Sequence, residues 1–322
     1  MRVKWDPGWN KFGIDKALGG KFAGKVDLHI HSSFSGDASR YATPAMICRT
    51  AGYYGFSAIS ITDHSSVSCI PRLLQEAKRH SVAVITGIEL TCTANPIGRI
   101  DILGYGLDHE DPYLREMLLT TREDLLNRTC HLAQRINKTL RETAVTPDDL
   151  AKIEALSENG VCAGQEGVLA KLLHSRGYFP CSDADRPYTR ALEFTELIGS
   201  EMPIRLAPAE VSINILKSAG GLVFWAHPYR SSEKAGIGKD GSIKQAIQQV
   251  LSNSAYEFDG IEAVHKNHSP EVAAYLFKLA TDLGLLFSGG SDTHWNNLKN
   301  VLGLLPETAL SFQPWMDELV RR

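Results

Sequence analysis

The sequence predicts an α/β protein built on a distorted (β/α)7 TIM-like barrel with a helical insertion domain. Short apolar strand patterns alternate with amphipathic helical patterns in the first and last parts of the chain, which is typical of parallel β-α units. Between residues 108 and 207 strand patterns are almost absent, and helical periodicity takes their place. We therefore expect a barrel formed by residues 1–107 and 208–322, with a helical cap formed by residues 108–207.

Each predicted element of the first part has a local signal. Thr43 followed by Pro44 is a typical helix start, and Gly55 ends that helix. A second helix is predicted at about residues 71–80. Four apolar runs predict strands, which fall at about residues 25–30, 57–62, 82–88 and 99–105.

The insertion is predicted to begin with one long helix over residues 111–141, which carries leucines at helical spacing. Shorter helices interrupted by glycine and proline follow it. After Pro208 the strand–helix alternation resumes. The predicted helices fall at about residues 209–219, 244–252 and 270–283, and the strands at about 221–226, 258–264 and 285–288.

Composition and charge narrow the class of protein. The chain has 322 residues, of which 43% are hydrophobic and 22% charged, and its formal net charge is −3. This balance argues against an extended nucleic-acid surface, although it allows a small site for a phosphorylated end. The N-terminal residues contain no apolar run typical of a signal peptide or a membrane span, and the scattered cysteines form no C-x-x-C pair. We expect a cytoplasmic protein with free thiols and no membrane partner.

Nitrogen and oxygen ligands follow nearly every predicted strand. His29 and His31 alternate at the end of the first strand, so both imidazoles point to one face. In barrels of this type the working residues lie at the carboxyl ends of the strands. Five of the eleven histidines belong to this set, which is more than surface decoration explains. The candidate ligands are His29, His31, Asp37, His64, Glu89, Asp101, His227, Asp292 and His294.

This donor set favours a hydrolytic metal site. It contains no thiolate, which suits Mn, Fe or Zn at a catalytic site better than a structural zinc site. Nine ligands suit two or three divalent ions that share a bridging carboxylate. Four carboxylates and three divalent ions leave a charge of about +2, which suits an anionic substrate such as a phosphate ester.

Five motifs together resemble those of the polymerase and histidinol phosphatase (PHP) superfamily. They lie in the family's order and cover both halves of the predicted barrel. The helical insertion resembles that of the stand-alone PHP phosphoesterases that act on small nucleotides. The motifs are D-L-H-I-H (27–31), I-T-D-H (61–64), G-I-E-L (87–90), A-H-P (226–228) and G-S-D-T-H (290–294).

The resemblance implies how the ligands divide among three metals. The implied groups are His29, His31, Glu89 and Asp292 for the first metal, Glu89, Asp101 and His227 for the second, and Asp37, His64 and His294 for the third. Two positions depart from the family pattern. Asp101 stands where the family usually has a histidine, and Gly36 is an extra residue before Asp37.

The resemblance also implies catalytic roles, and position suggests substrate contacts. Glu89, Asp292 and His294 are the expected catalytic residues, with Glu89 bridging two metals. The candidate substrate contacts are Arg186, Tyr188, Arg230 and His268. For Arg186 and Tyr188, phosphate binding and base stacking compete with a solvated surface turn, and His268 suits a helix start equally well.

The predicted function is hydrolysis of a small phosphorylated metabolite, such as a nucleotide phosphomonoester or a 3′,5′-bisphosphate. Histidinol-phosphate phosphatase and an exonuclease acting on oligonucleotide ends are alternatives. An amidohydrolase is disfavoured, because those barrels commonly need a lysine where this chain has Glu89. A role in metal storage or scaffolding, without catalysis, is the last alternative.

Overall fold

The computed structural model describes residues 25–162, 166–181, 188–202, 205–234, 236, 242–294 and 310–311. Nine strands lie within these ranges. They are β1 (Lys25–Ile30), β2 (Phe56–Ile61), β3 (Ala83–Val84), β4 (Gly87–Ala94), β5 (Gly98–Tyr105), β6 (Leu222–Trp225), β7 (Gly260–His265), β8 (Leu286–Gly290) and β9 (Leu310–Ser311).

The strands form two sheets of mixed direction. One sheet has the order β3-β2-β1-β9 and the other the order β4-β5-β6-β7-β8. The pairs β1–β2, β2–β3, β6–β7 and β7–β8 are parallel, as the alternating pattern predicts. The mixed α/β class is therefore confirmed. Closure into a single barrel ladder is not observed among the described residues, where only isolated bridges join the two sheets.

The hairpin of β4 and β5 departs from the prediction of parallel units. These strands are antiparallel, and Thr91 lies opposite Asp101. Only three residues join the two strands, whereas a parallel crossover needs a dozen or more. The predicted strand over residues 82–88 is also divided between β3 and β4, so Glu89 lies inside a strand instead of at its end.

The helices of the described chain flank these sheets and build the insertion. They are α1 (Pro44–Tyr53), α2 (Ile70–His80), α3 (Pro112–Leu140), α4 (Pro147–Glu158), α5 (Glu166–Ser175), α6 (Thr189–Ser200), α7 (Ala209–Ser218), α8 (Pro228–Lys234), α9 (Ser242–Leu251) and α10 (Pro270–Asp282). As predicted, Thr43 begins α1, and its hydroxyl accepts a hydrogen bond from Met46 N. Among the described helices, none is both long enough and apolar enough to traverse a bilayer.

Two separate apolar clusters stabilise the chain. The larger cluster surrounds the strands and includes Ile59, Ile88 and Phe224. The smaller cluster lies within the insertion, where α3, α5 and α6 bury residues such as Ile136 and Leu173. The helices from α3 to α6 thus share a core of their own, and the division at residues 108–207 stays a prediction. All six cysteines are free thiols.

Candidate metal centre

The ends of several strands bring the nine predicted ligands together. His31 N donates to Thr293 O at 3.0 Å and Asp292 N donates to His29 O at 2.8 Å, which fixes the segment after β8 beside β1. The backbone of His64 pairs with the backbone of Glu89 through an isolated parallel β-bridge. Gly290 permits this approach, because a Cβ there would lie 2.4 Å from His29 N. Backbone pairing between distant segments therefore builds the site.

The first group of ligands is fully buried. His29 Nε2 and His31 Nε2 are 3.2 Å apart. Glu89 Oε2 lies 3.3 Å from the first and 3.2 Å from the second. Asp292 Oδ1 lies 3.2 Å from His31 Nε2 and 3.7 Å from His29 Nε2. Four ligand atoms from the end of β1, from β4 and from the segment after β8 thus converge on one point.

Their hydrogen bonds fix which imidazole nitrogens carry lone pairs. His29 Nδ1 lies 2.9 Å from the carboxylate of Glu262, so it must donate there. His31 Nδ1 lies 2.8 Å from Ser35 Oγ, whose own hydrogen is donated to Asp63. His31 Nδ1 is therefore the donor in that contact. In the neutral rings both Nε2 lone pairs face each other and two carboxylates.

A second group lies beside the first. His227 Nε2 lies 3.2 Å from Glu89 Oε1, whereas His29 Nε2 faces the other carboxylate oxygen, Oε2. Asp101 Oδ2 is 3.8 Å from His227 Nε2. Thr91 Oγ1 donates to Asp101 Oδ1 at 2.6 Å and orients that carboxylate. Glu89 thus has one oxygen in each group, as a bridging ligand requires.

The third group is partly exposed. His64 Nδ1 lies 3.1 Å from Glu89 Oε2, and Asp37 Oδ2 lies 3.6 Å from His64 Nε2 and 3.2 Å from His294 Nε2. His294 Nδ1 is 3.2 Å from the carbonyl of Asp292 and donates there. Its Nε2 lone pair therefore points at the Asp37 carboxylate. The extra Gly36 does not keep Asp37 out of the cluster.

Three acids of the cluster, Glu89, Asp292 and Asp37, are held in their ionised form. Burial works to raise the pKa of Glu89, but the charges of His64 and His29 outweigh it and hold that pKa well below its usual value. For Asp292, burial is again opposed, mainly by the hydrogen bond from His265, and the pKa is well below normal. The same balance, with His294 and His64 as partners, lowers the pKa of Asp37.

This arrangement fits divalent cations. Glu89 Oε2 and Asp37 Oδ1 are buried oxygens without a hydrogen-bond partner. When both rings are neutral, the Nε2 lone pairs of His29 and His31 face each other at 3.2 Å, and they repel one another unless a cation lies between them. Within the cluster, three sets of three side chains have their ligand atoms within 4.8 Å of one another. They are His29, His31 and Asp292; His29, Glu89 and His227; and His31, His64 and His294. The donors are all imidazole or carboxylate, as catalytic Zn or Mn sites use.

Several supporting residues have no signal in the spacing of the sequence. Glu262 on β7 is completely buried, and its second oxygen accepts from His227 N at 2.8 Å. Burial works to raise the pKa of Glu262, but the charge and hydrogen bond of His29, followed by the charges of His265 and His227, outweigh it and lower that pKa to about 2. Asp292 Oδ2 forms ion pairs with Arg230 Nη1 at 2.9 Å and with Lys266 Nζ at 3.1 Å. The one available signal for Glu262 is a carboxylate in an otherwise apolar strand.

The four predicted substrate contacts lie in different environments. Tyr188 and Arg230 line a cavity of about 820 Å³ above the metal ligands. Arg186 lies outside the described residues. His268 is a correction: its ring is buried, its Nδ1 contacts the carbonyl of Ala263, and it does not line the cavity. It lies there because β7 extends to His265, one residue beyond the predicted strand, and the turn that follows carries His268 inward.

The cavity lies between the strands and the insertion. Its floor contains ligands from all three groups, including Asp37, Glu89 and Asp292. Its other walls come from α3, α5 and the start of α6, with Lys171 and Tyr188 facing each other. The insertion therefore forms the upper half of the site.

Comparison with known proteins decides the family. The family model of the PHP domain matches residues 27–200, more than half of the 322 residues. The chain belongs to the PHP domain family. It is accordingly a metal-dependent phosphoesterase, and the predicted resemblance is confirmed.

Two relatives match this PHP chain over nearly its whole length. The 5′-3′ exoribonuclease Rnm of Salmonella typhimurium is 25% identical over 299 residues, covering 90% of this chain and 93% of its own. A 5′-3′ exoribonuclease of Haemophilus influenzae is 22% identical over 276 residues, covering 84% and 90% respectively. Both alignments are long enough to include the insertion.

Solved structures share the fold of this PHP protein. A candidate metal-dependent phosphoesterase from Bifidobacterium adolescentis has a TM-score of 0.71 and 23% identity, covering 92% of this chain and 95% of its own. An amidohydrolase from Chromobacterium violaceum with bound sulfate has a TM-score of 0.64 and 21% identity, with coverage of 91% and 95%. At these identities the likeness is one of fold alone.

Proposed function

We propose that this PHP phosphoesterase is a 5′-to-3′ exonuclease of short RNA, which hydrolyses the phosphodiester on the 3′ side of the terminal nucleotide. One observation carries the proposal: the ligand cluster is the floor of a cavity of about 820 Å³ whose upper walls belong to the insertion. Such a cavity accepts a nucleotide unit over the ligands. The relatives named as exoribonucleases align with 90% and 84% of this chain.

A nucleoside 3′,5′-bisphosphate is the second candidate substrate. It carries the same two phosphate positions as the terminal nucleotide of a 5′-phosphorylated RNA, but without the rest of the chain. The charge of the protein favours this smaller substrate. Its 37 acidic residues outnumber its 34 lysines and arginines, and an extended RNA surface is normally basic.

The proposed ligands divide as the three groups do, with Glu89 shared and Asp101 beside His227. When bound, divalent ions supply Lewis-acid stabilisation of the phosphate and a nucleophile at neutral pH. The chain's own contribution is to hold the donor atoms in place. Glu262 keeps the Nε2 atom of His29 free to bind a cation, as hydrogen-bonded partners of metal-binding histidines generally do.

Other residues act on the substrate. Tyr188 offers a ring for stacking of the base, worth about 1 to 3 kcal/mol for such contacts. Arg230 lines the cavity while it donates to Asp292, so its guanidinium stands beside the proposed phosphate position. Glu89, Asp292 and His294 remain the proposed catalytic residues, since all three border the cavity at the ligand cluster.

A substrate panel tests the proposal. The purified protein, loaded with Mn²⁺, is incubated with a 5′-phosphorylated RNA pentamer, a nucleoside 3′,5′-bisphosphate, histidinol phosphate and a series of small amides and esters. We expect stepwise release of nucleoside 5′-monophosphates from the pentamer, resolved by chromatography over time. Internal cleavage, removal of terminal phosphate alone, or faster hydrolysis of histidinol phosphate would refute the exonuclease assignment.

A further inference from the structure

A second cavity, of about 460 Å³, adjoins the first one beside the metal centre. Three residues line both cavities, and they are Ser65, Leu125 and Cys162. Ser65 directly follows the predicted ligand His64, and its N–H donates to the carbonyl of Glu89 at 2.9 Å. The second cavity, which we call the side groove, therefore begins next to the third ligand group.

The side groove lies between the strands and the insertion. One wall is the loop after β2, over residues 65–68, and another is the end of α4 with the residues that follow it, 157–162. Ser66 Oγ donates to the carbonyl of Gly160 at 2.5 Å, which holds these two walls together. Gly160 permits this close approach, because its φ is +82° and a Cβ there would lie 2.0 Å from Ser68 Oγ.

The third wall, from α3, combines apolar surface with a cation. Leu118 and Leu119 lie four and three residues before Arg122, so all three share one side of the helix. Leu119 is 48% exposed and leaves apolar surface uncovered at the groove. Arg122 forms no ion pair among the residues that the structure describes, and its Nη1 donates to the carbonyl of Ser157 at 3.3 Å. A guanidinium has five N–H donors, so Arg122 can also bind an anion.

A third cavity adjoins the first one as well, but on the other side of α3. Its residues from α3 include positions 113, 117 and 120, which at 3.6 residues per turn face away from positions 115, 119 and 122 of the side groove. The charged residues that line the third cavity are Glu116, Asp124 and Arg205, a formal charge of −1. Those of the side groove are Arg115, Arg122 and Glu158, a formal charge of +1 with histidine neutral. A polyanion is therefore attracted more strongly to the side groove.

We propose that the side groove binds the second nucleotide of an RNA substrate, with its base against Leu118 and Leu119 and its 3′ phosphate beside Arg122. This inference rests on the proposed function, in which the bond after the first nucleotide lies over the metal ligands. Three observations support it: the groove begins beside His64, its volume lies within the range of roughly 300 to 1,000 Å³ for ligand pockets, and its wall offers both an apolar surface and a cation.

The side groove separates the two candidate substrates of the proposed function. A nucleoside 3′,5′-bisphosphate has no second nucleotide, so it gains nothing from the groove. An RNA gains an apolar contact for a base and a charge-assisted hydrogen bond for a phosphate, and arginine is well suited to phosphate oxygens. The groove therefore favours an oligonucleotide over the free bisphosphate.

Kinetics with matched variants test the groove. The double variant Leu119→Glu with Arg122→Gln removes the apolar surface and the cation. The control is the double variant Leu156→Glu with Arg49→Gln, because Leu156 is also 48% exposed and neither residue lines the side groove. The ratio of kcat/KM on a 5′-phosphorylated RNA pentamer to kcat/KM on the bisphosphate should fall at least about tenfold in the first variant, through a higher KM for the RNA. The control should keep the wild-type ratio.

A photocrosslink locates the second nucleotide without any need for catalysis. The probe is a 5′-phosphorylated RNA trimer with 4-thiouridine as its second nucleotide and with phosphorothioate linkages that slow hydrolysis. After irradiation, mass spectrometry should find the probe on residues 65–68, 118–122 or 157–162. Cross-links confined to the first or third cavity, the absence of any cross-link, or a wild-type ratio in the groove variant would overturn the inference. If no RNA is hydrolysed but the cross-links map to the groove, the proposed function fails and the groove remains an RNA-binding site.

Discussion

The substitution Glu262→Gln isolates the role of a residue that binds no metal itself. The carboxylate accepts from His29 Nδ1 at 2.9 Å and from His227 N at 2.8 Å, and it is fully buried. Glutamine keeps the shape but has one oxygen and one NH2 group. Whichever way the amide turns, a donor meets a donor. Either His29 loses its orienting partner or the backbone of His227 loses its acceptor.

The expected loss is in metal affinity. Removal of a hydrogen-bonded partner of a metal-binding histidine typically weakens metal binding roughly 10- to 100-fold, which corresponds to about 1.4 to 2.7 kcal/mol. The assay is competition for Mn²⁺ or Zn²⁺ against a chromophoric chelator, with bound metal counted by mass spectrometry after dialysis. Glu257→Gln is the matched control, because that side chain is 71% exposed. A folded Glu262→Gln protein that binds the metal with wild-type affinity would show that Glu262 does not orient His29 for metal binding.

Three further perturbations test separate parts of the molecule. Lys171→Met removes the ammonium that donates to the carbonyl of Asp37 at 2.6 Å, so the metal nearest Asp37 should be lost from the stoichiometry; an unchanged metal count contradicts this. Asp101→His introduces the imidazole of the family pattern, and zinc affinity should rise relative to manganese affinity in competition titrations; equal changes for both metals would count against a ligand at this position. Thr146→Ala removes the capping box in which the hydroxyl pairs with Asp149. It should cost about 1 kcal/mol in thermal unfolding, and an unchanged melting temperature would show that this cap contributes nothing.

The ligands that follow parallel strands were predictable from the sequence. Spacing alone puts His29 and His31 on one face, and His64 follows the next apolar run. Glu89 was predicted at a strand end but lies inside β4. It still reaches the cluster, because β4 begins beside the end of β2. Asp101 reaches the same edge because β5 runs antiparallel, so its first residues lie where parallel strands end.

The supporting contacts were not predictable in the same way. Glu262 lies 233 residues from His29, and only the pairing of β7 with its neighbours brings them together. Arg230 was predicted to contact substrate; it lines the cavity but also pairs with Asp292. His268 is buried, and it follows a strand, β7, that ends one residue later than the sequence pattern predicts. Contacts between residues far apart in the chain produce no periodic pattern in the sequence.

We propose that the buried imidazoles and carboxylates hold the metal ions that catalyse phosphoester hydrolysis. The most direct measurement is metal content together with hydrolysis rate for the wild type and for Glu89→Gln, an isosteric change at the shared carboxylate. We expect the wild type to retain at least two ions per chain, as a bridging carboxylate requires, and the variant to lose both an ion and its activity. Full metal content and full rate in Glu89→Gln would contradict the claim.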